Sequence, residues 1–308
     1  MKIHNGIESP INVTNAIVTI GTFDGVHIGH QKIITRIKEV AAQQSGETVL
    51  ITLYPHPRMV LFPDDNDLQL LSTQQEKTDL LRKYGIDHLL VIPFSREFAR
   101  LTSLEFVRDI LVDKIGVKTL IIGYDHHFGR NREGSIEQLR ELAPQFHFEV
   151  EEIPAQDIDH VNVSSTKIRE SLLNGDAETA KSYLGHAYSL QGTVVEGNKL
   201  GRTIGYPTAN VEIGDKHKLI PADGVYAVHV HVGDETFGGM LNIGYRPTVD
   251  GKKRTTEVNI FNFEQDLYGK QLKIEFEARL RDEQKFTGLD ALKEQLAKDK
   301  INALAALK

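Results

Sequence analysis

Cysteine is absent, 0 in 308 residues, which excludes disulfides, thiolate zinc sites, iron–sulfur clusters and a cysteine nucleophile, so the fold is expected to stand on packing alone. Long apolar runs are missing too. No segment approaches the roughly 20 apolar residues that span a bilayer, and the opening Met1-Lys2-Ile3-His4-Asn5-Gly6 lacks the apolar stretch of a signal peptide. The expected location is the cytoplasm. Positive charge is scarce: 36 Lys and Arg stand against 43 Asp and Glu, a net charge of −7, which argues against nucleic acid or an anionic membrane as a partner. Internal repeats, low-complexity tracts and long linkers are also lacking.

What is present is an ordinary globular composition, 40% hydrophobic and 26% charged. The length of 308 residues exceeds the roughly 250 to 300 at which a single core stops growing, so two domains are expected. The excess of acid lies in residues 1–184, while 185–308 is balanced. Texture changes at the same place. Up to about residue 183, short β-branched runs (17–22, 48–54, 88–92, 119–123 and 148–153) alternate with amphipathic stretches, the pattern of a parallel sheet covered by helices. Thr73-x-x-Glu76 and Thr102-x-x-Glu105 read as capping boxes that open two of those helices. Beyond residue 184, runs such as 224–232, 236–243, 256–263 and 271–280 alternate apolar and polar residues with period two, which predicts half-buried strands of a small antiparallel barrel. Leu289, Leu292, Leu296, Ile301 and Leu304 predict a terminal amphipathic helix over 289–307.

In the first half, Gly21-Thr22-Phe23-Asp24-Gly25-Val26-His27-Ile28-Gly29-His30 falls where the first strand ends and a helix over 31–42 begins. Open α/β sheets bind ligands at that strand end. Glycines let backbone approach a phosphate, the helix N-terminus supplies amide donors, and the two imidazoles add more. The three-glycine dinucleotide fingerprint and the Walker loop are both missing. Val163-Ser164-Ser165-Thr166-Lys167-Ile168-Arg169 is a second phosphate-type signal, with hydroxyls that cap a helix carrying Lys167 and Arg169 in its first turn. Gly123-Tyr124-Asp125-His126-His127-Phe128-Gly129 follows another strand end and faces the same crevice. Pro55-His56-Pro57 reads as a rigid exposed turn.

In the second half, Gly201-Arg202-Thr203-Ile204-Gly205-Tyr206-Pro207-Thr208-Ala209-Asn210 sets a hydroxyl and an amide oxygen two residues apart on one strand face. Oxygen ligands suit Mg²⁺. Asn242-Ile243-Gly244-Tyr245-Arg246-Pro247-Thr248, Glu257 and Asp266-Leu267-Tyr268-Gly269 follow. A carboxylate such as Glu257 can take the proton of an alcohol that attacks a γ-phosphorus.

The first string resembles the Gly-x-Phe-Asp-Gly-Val-His-x-Gly-His motif of the flavin branch of the His-x-Gly-His nucleotidyltransferases, and Ser164-Ser165-Thr166 through Arg169 resembles the Ser-Ser-Thr-x-Ile-Arg motif that closes the nucleotide site in that family. The second-half strings, with Leu280-Arg281-Asp282-Glu283 and Phe286, are similar to those of the riboflavin kinase barrel. Together they resemble the bifunctional prokaryotic riboflavin kinase/FAD synthetase family over nearly the whole chain.

The resemblance implies a doubly wound, Rossmann-like α/β nucleotidyltransferase domain at 1–184 followed by a small antiparallel β-barrel domain with a C-terminal helix at 185–308. It implies two reactions: riboflavin plus ATP giving FMN in the barrel, then FMN plus ATP giving FAD and pyrophosphate in the first domain. Riboflavin, FMN and ATP are the implied small-molecule partners, with Mg²⁺. The implied adenylyl-transfer residues are His27, His30 and Arg169, with Gly21, Phe23, Asp24, Gly29, Ser164, Ser165 and Thr166 binding ATP and its phosphates. Asp125 is placed on ribose or flavin, while His126 and His127 depart from the pattern and stay unassigned. In the barrel, Glu257 is the implied base, Gly201, Arg202 and Gly205 cover phosphates, Thr208 and Asn210 hold Mg²⁺–ATP, and Arg281 and Glu283 lie near the flavin. Two other readings remain at this point. One keeps adenylyl transfer alone, with the barrel as a flavin-binding or regulatory module. The other makes the barrel an oligonucleotide binder, against which stand 0 Trp and a short Lys252-Lys253-Arg254 run without interleaved aromatics.

Overall fold

The computed structural model describes residues 1–64, 68–123, 128–130, 134–154, 163–197, 200–248 and 251–308, with backbone alone at 200, 246–248 and 251–253. They form two compact units, Met1–Ser165 and Thr166–Lys308.

The first unit is built on six parallel strands: β1 (Lys2–Asn5), β2 (Ala16–Ile20), β3 (Thr48–Tyr54), β4 (His88–Pro93), β5 (Val117–Gly123) and β6 (Glu149–Ile153). Their order is β1-β4-β3-β2-β5-β6. Successive residues of the central strands serve opposite faces. Ile17, Leu50, Leu89 and Ile121 pack with Ile34, Ile37 and Val40 of the Ile28–Gln43 helix on one side. Val18, Ile51, Leu90 and Ile122 pack with Val107, Ile110 and Leu111 of the Phe106–Ile115 π-helix on the other. Burial on both faces is why these strands read as continuous apolar runs. Both expected capping boxes are present, at Thr73 with Glu76 and at Thr102 with Glu105.

From β2 the chain winds to β3 and β4 on one side, then crosses to β5 and β6 on the other. The winding direction therefore reverses between β2 and β5, and a crevice opens beyond their C-terminal ends. Gly21 follows the end of β2, and the 124–130 segment follows β5.

Two details differ from the sequence reading. The first helix opens at Ile28 rather than at residue 31, because the His27 Nδ1 accepts the His30 N–H and caps it. His is not among the usual N-caps. The short β1 pairs with β4 at the sheet edge, and its polar Lys2-Ile3-His4-Asn5 lacks a strand's apolar signature.

The second unit is a closed barrel in the order β10-β11-β8-β7-β12-β9, from β7 (Ser189–Val195), β8 (Ala209–Glu212), β9 (Gly224–Val232), β10 (Glu235–Thr248), β11 (Gly251–Ile260) and β12 (Gln271–Arg281). All its pairings are antiparallel. Val228, Val230, Leu241, Val258, Ile274 and Phe276 fill it. The helices Ser165–Leu173 and Ala177–Leu184 are counted with the barrel by their contacts from Thr166 onward. Leu172 accepts the Ala222 N–H at 2.9 Å, and Lys181 pairs with Glu277.

The terminal helix, Leu289–Ala306, is held differently from its leucine pattern. Leu289, Ile301 and Leu304 are exposed, whereas Ala303 and Asp299 are its buried residues. Asp299 accepts Arg281 Nε at 2.9 Å and Nη2 at 2.7 Å. Leu296, Ala303, Ala306 and Leu307 pack against Ala227, Met240 and Phe261 of the barrel, and the buried ion pair with β12 adds a polar anchor to that apolar face.

Candidate active sites

The first site begins where β2 ends. The backbone turns through left-handed conformations at Phe23 (φ 48°), Gly25 (φ 77°) and Val26 (φ 42°). A β-branched residue there is strained, and the surroundings must hold it. Asp24 does so: its carboxylate accepts the N–H groups of Leu71 and Ser72 at 3.0 Å each. The Gly25 N–H in turn donates to the Ser72 hydroxyl at 3.0 Å. Phe23 is buried with its ring 4.8 Å from that of His30, and a Cβ at Gly21 would press on it at 3.0 Å. Phe23 and Asp24 thus brace the turn. Both carboxylate oxygens accept backbone N–H groups, so the contribution of Asp24 passes through the loop geometry.

The loop presents the stacked rings of His27 and His30, with centroids 3.7 Å apart. Acceptance at Nδ1 by His27 places the proton of its neutral ring on Nε2. His30 titrates well below its ordinary value of 6.5, chiefly through burial and then through His27 and Lys77. It is therefore neutral at physiological pH. Gly29 is buried in the first turn of the helix, where amide groups and the helix dipole favour an anion. Ser165 donates its hydroxyl to the Asp24 carbonyl at 3.3 Å, which ties the Ser164-Ser165 segment to this turn. Thr166 and Arg169 follow on the Ser165–Leu173 helix, in the second unit. Asp125, His126 and His127 lie outside the described residues.

Two residues here carried no sequence signal of function. Gln74 and Lys77 belong to the Gln74–Lys83 helix, and Thr73-x-x-Glu76 announced only its start. Lys77 is 7% exposed. It donates to Thr52 Oγ1 at 3.3 Å, and Thr52 Oγ1 bonds the Thr22 carbonyl at the same distance. Burial pushes its ammonium down to about 8 against the pull of Asp24.

The second site is inside the barrel. Glu257 on β11 stands between Asn210 on β8 and Asn242 on β10 in strand register, and only 4% of it is exposed. Thr208 Oγ1 donates to Glu257 Oε2 at 3.4 Å. The loop before Thr208 is held by Asn259, whose Nδ2 donates to the Pro207 carbonyl at 2.6 Å. Gly201 closes the turn, accepting the Tyr206 N–H at 2.8 Å, and a Cβ on it would stand 2.2 Å from the Tyr206 carbonyl oxygen. Gly205 takes φ 83° in the same turn, and Arg202 is exposed beside it.

The structure thus brings Thr208, Asn210 and Glu257 together. Arg281 is committed elsewhere: its Nε and Nη2 bond Asp299, and its Nη1 donates to the Asp282 carbonyl at 2.9 Å. Glu283 is exposed and lies over Gly244, where its Oε1 occupies the space of a Cβ.

A strained turn with two stacked imidazoles at a parallel sheet's switch point, and a barrel holding a buried carboxylate beside a hydroxyl and a carboxamide, are two candidate sites of the kind a two-site transferase has. Comparison with known proteins makes the class specific. The FAD synthetase family model matches residues 9–167, and the riboflavin kinase model matches residues 184–307. The bifunctional riboflavin kinase/FMN adenylyltransferase of Escherichia coli (strain K12) is 36% identical over 98% of this chain and 95% of its own length. That of Haemophilus influenzae is 38% identical over 99% of each chain. A solved structure described as a macrolide-efflux protein from Streptococcus pneumoniae aligns with TM-score 0.88 and 32% identity over 98% of both chains. Its description differs from those of the curated relatives, which agree with both family models. The chain belongs to the bifunctional riboflavin kinase/FMN adenylyltransferase family. Among the described residues, no helix is long and apolar enough to cross a membrane.

Proposed function

We propose that the chain converts riboflavin to FMN in the barrel and FMN to FAD in the parallel-sheet domain, with ATP as co-substrate of both steps and the functional division at 184/185. The observation that carries this reading is that each phosphate-handling motif folds into a site of its own, the His27–His30 stack at a helix N-terminus and Glu257 beside Thr208 and Asn210.

In the barrel, Glu257 accepts the proton of the riboflavin hydroxyl as its oxygen bonds the γ-phosphorus of ATP and ADP leaves. Gly201, Arg202 and Gly205 cover the phosphates. The hydroxyl of Thr208 and the carboxamide of Asn210 are oxygen donors that fit Mg²⁺. The ion supplies charge neutralisation on the phosphates when bound. Arg281 shapes the flavin end by fixing β12 to the terminal helix, and Glu283 stands beside Gly244 at that end.

In the first domain, the phosphate of FMN attacks the α-phosphorus of ATP, a bond to FMN forms and pyrophosphate leaves. A phosphate monoester is already anionic, so no general base is needed. The requirement is donors for the charge on the transferring group. His27, His30 and the amides around Gly29 supply them, with Gly21, Phe23 and Asp24 shaping the turn, and the motif assigns Ser164, Ser165, Thr166 and Arg169 to the nucleotide. Asp125 is assigned to the ribose or flavin by the motif. A cytoplasmic location, where ATP is available, fits this reading.

The test is a chromatographic time course of the chain with riboflavin, ATP and Mg²⁺. FMN is expected before FAD. FAD from supplied FMN without FMN from riboflavin would reduce the barrel to a binding module.

A further inference from the structure

One buried cation near the adenylyl-transfer turn has no part in the motifs. Lys77 is 7% exposed, and an ammonium carries three N–H donors. Among the described residues its hydrogen-bond partner is one neutral hydroxyl, that of Thr52 at 3.3 Å. Gln74, one turn earlier on the same helix face, keeps both its carboxamide nitrogen and oxygen buried with no hydrogen-bond partner among the described residues. The two side chains line one small cavity with Asp24, Ser72, Tyr54 and His56. Burying such groups unmet is costly, and a ligand that supplies acceptors for both would remove the cost. Asp24 attracts the ammonium through space, and beyond Thr52 its remaining N–H donors suit an anionic ligand that accepts from them directly.

Adenylyl transfer brings two phosphates together, that of ATP and that of FMN. The helix N-terminus with His27 and His30 forms one anion site. Lys77 comes from another element and meets the turn from the β3 side, through Thr52 and next to Tyr54 and His56. We propose that Lys77 and Gln74 bind the acceptor: the ammonium contacts the attacking phosphate of FMN, and the Gln74 carboxamide donates beside it. The inference rests on the FMN adenylyltransferase reading. Lys77 keeps its proton throughout, while one P–O bond forms to FMN and the bond to pyrophosphate breaks. The lowered proton affinity of the empty site agrees with this assignment, because a dianion at Nζ would offset the desolvation.

The experiment is steady-state FAD formation by the full chain with FMN and ATP varied separately. For Lys77→Met, the KM for FMN is expected to rise about 10- to 100-fold, the loss of a hydrogen bond to a charged group. The KM for ATP and the rate of FMN formation from riboflavin should stay within about twofold. A second arm needs no loss of packing. The groups facing Lys77 are Asp24 and His30 on the turn, Thr52 on β3, and Tyr54 and His56 beyond it. In the unsubstituted chain, kcat/KM for FMN should fall above pH of about 8, and Lys77→Arg, which stays protonated, should remove that fall. An unchanged KM for FMN in Lys77→Met, a rise confined to ATP, or a fall that persists in Lys77→Arg would each overturn the proposal. Absence of FAD formation in the unsubstituted chain would overturn the adenylyltransferase reading itself.

Discussion

His27 and His30 stack 3.7 Å apart at one helix N-terminus, and Glu257 is buried between two asparagines in the barrel. On the proposed assignment the two reactions use different chemistry: donors for an anionic nucleophile in one, a proton acceptor for an alcohol in the other. Glu257→Gln keeps the shape of the side chain and removes its basicity. It should lower FMN formation about 10²- to 10⁴-fold, the usual contribution of a general base, and leave FAD formation from supplied FMN intact. His30→Ala should do the reverse. High-performance liquid chromatography of the two products reads both variants, and loss of both activities in either folded variant would contradict separate sites. The residue types at these positions were legible in the sequence, since imidazoles beside glycines and a hydroxyl two residues from an amide announce phosphate and cation chemistry. Lys77 was not, because burial of an ammonium is a property of the fold and not of a helix-start motif.

At the scale of elements, local pattern and observed structure agree wherever one rule dominates. β3 and β9 span the expected residues, and the two capping boxes close as their spacing predicts. Departures occur where a tertiary partner replaces the local signal. β1 is polar and exists by pairing with β4, and the terminal helix adds the buried Asp299–Arg281 pair to the apolar contacts of Leu296, Ala303 and Leu307. Asp299→Ala would leave Arg281 partly buried and unpaired, and breaking a buried pair from one side costs about 3 to 5 kcal/mol. A lower urea midpoint of the barrel transition is expected. An unchanged midpoint would mean that the helix is held by Ala303 and its apolar neighbours alone.

For the whole molecule, two units with separate sites imply that FMN made in one can be used by another copy. Mixing Glu257→Gln with His30→Ala should restore FAD synthesis from riboflavin, although neither variant makes FAD from riboflavin efficiently by itself. Product analysis of the mixture decides it, and no FAD would mean that FMN does not leave the chain that forms it. The sequence by itself determined the architecture and the family, because strand period, helix caps and phosphate-binding strings are short-range properties written in neighbouring residues. Tertiary structure alone decided which side chains brace and which are buried beside the candidate sites. Asp24 holds a strained turn, Arg281 holds a helix, and Lys77 and Gln74 lie beside the adenylyl site. Those roles depend on burial and on partners from Thr52 to Asp299, and such long-range contacts form only when the chain is folded.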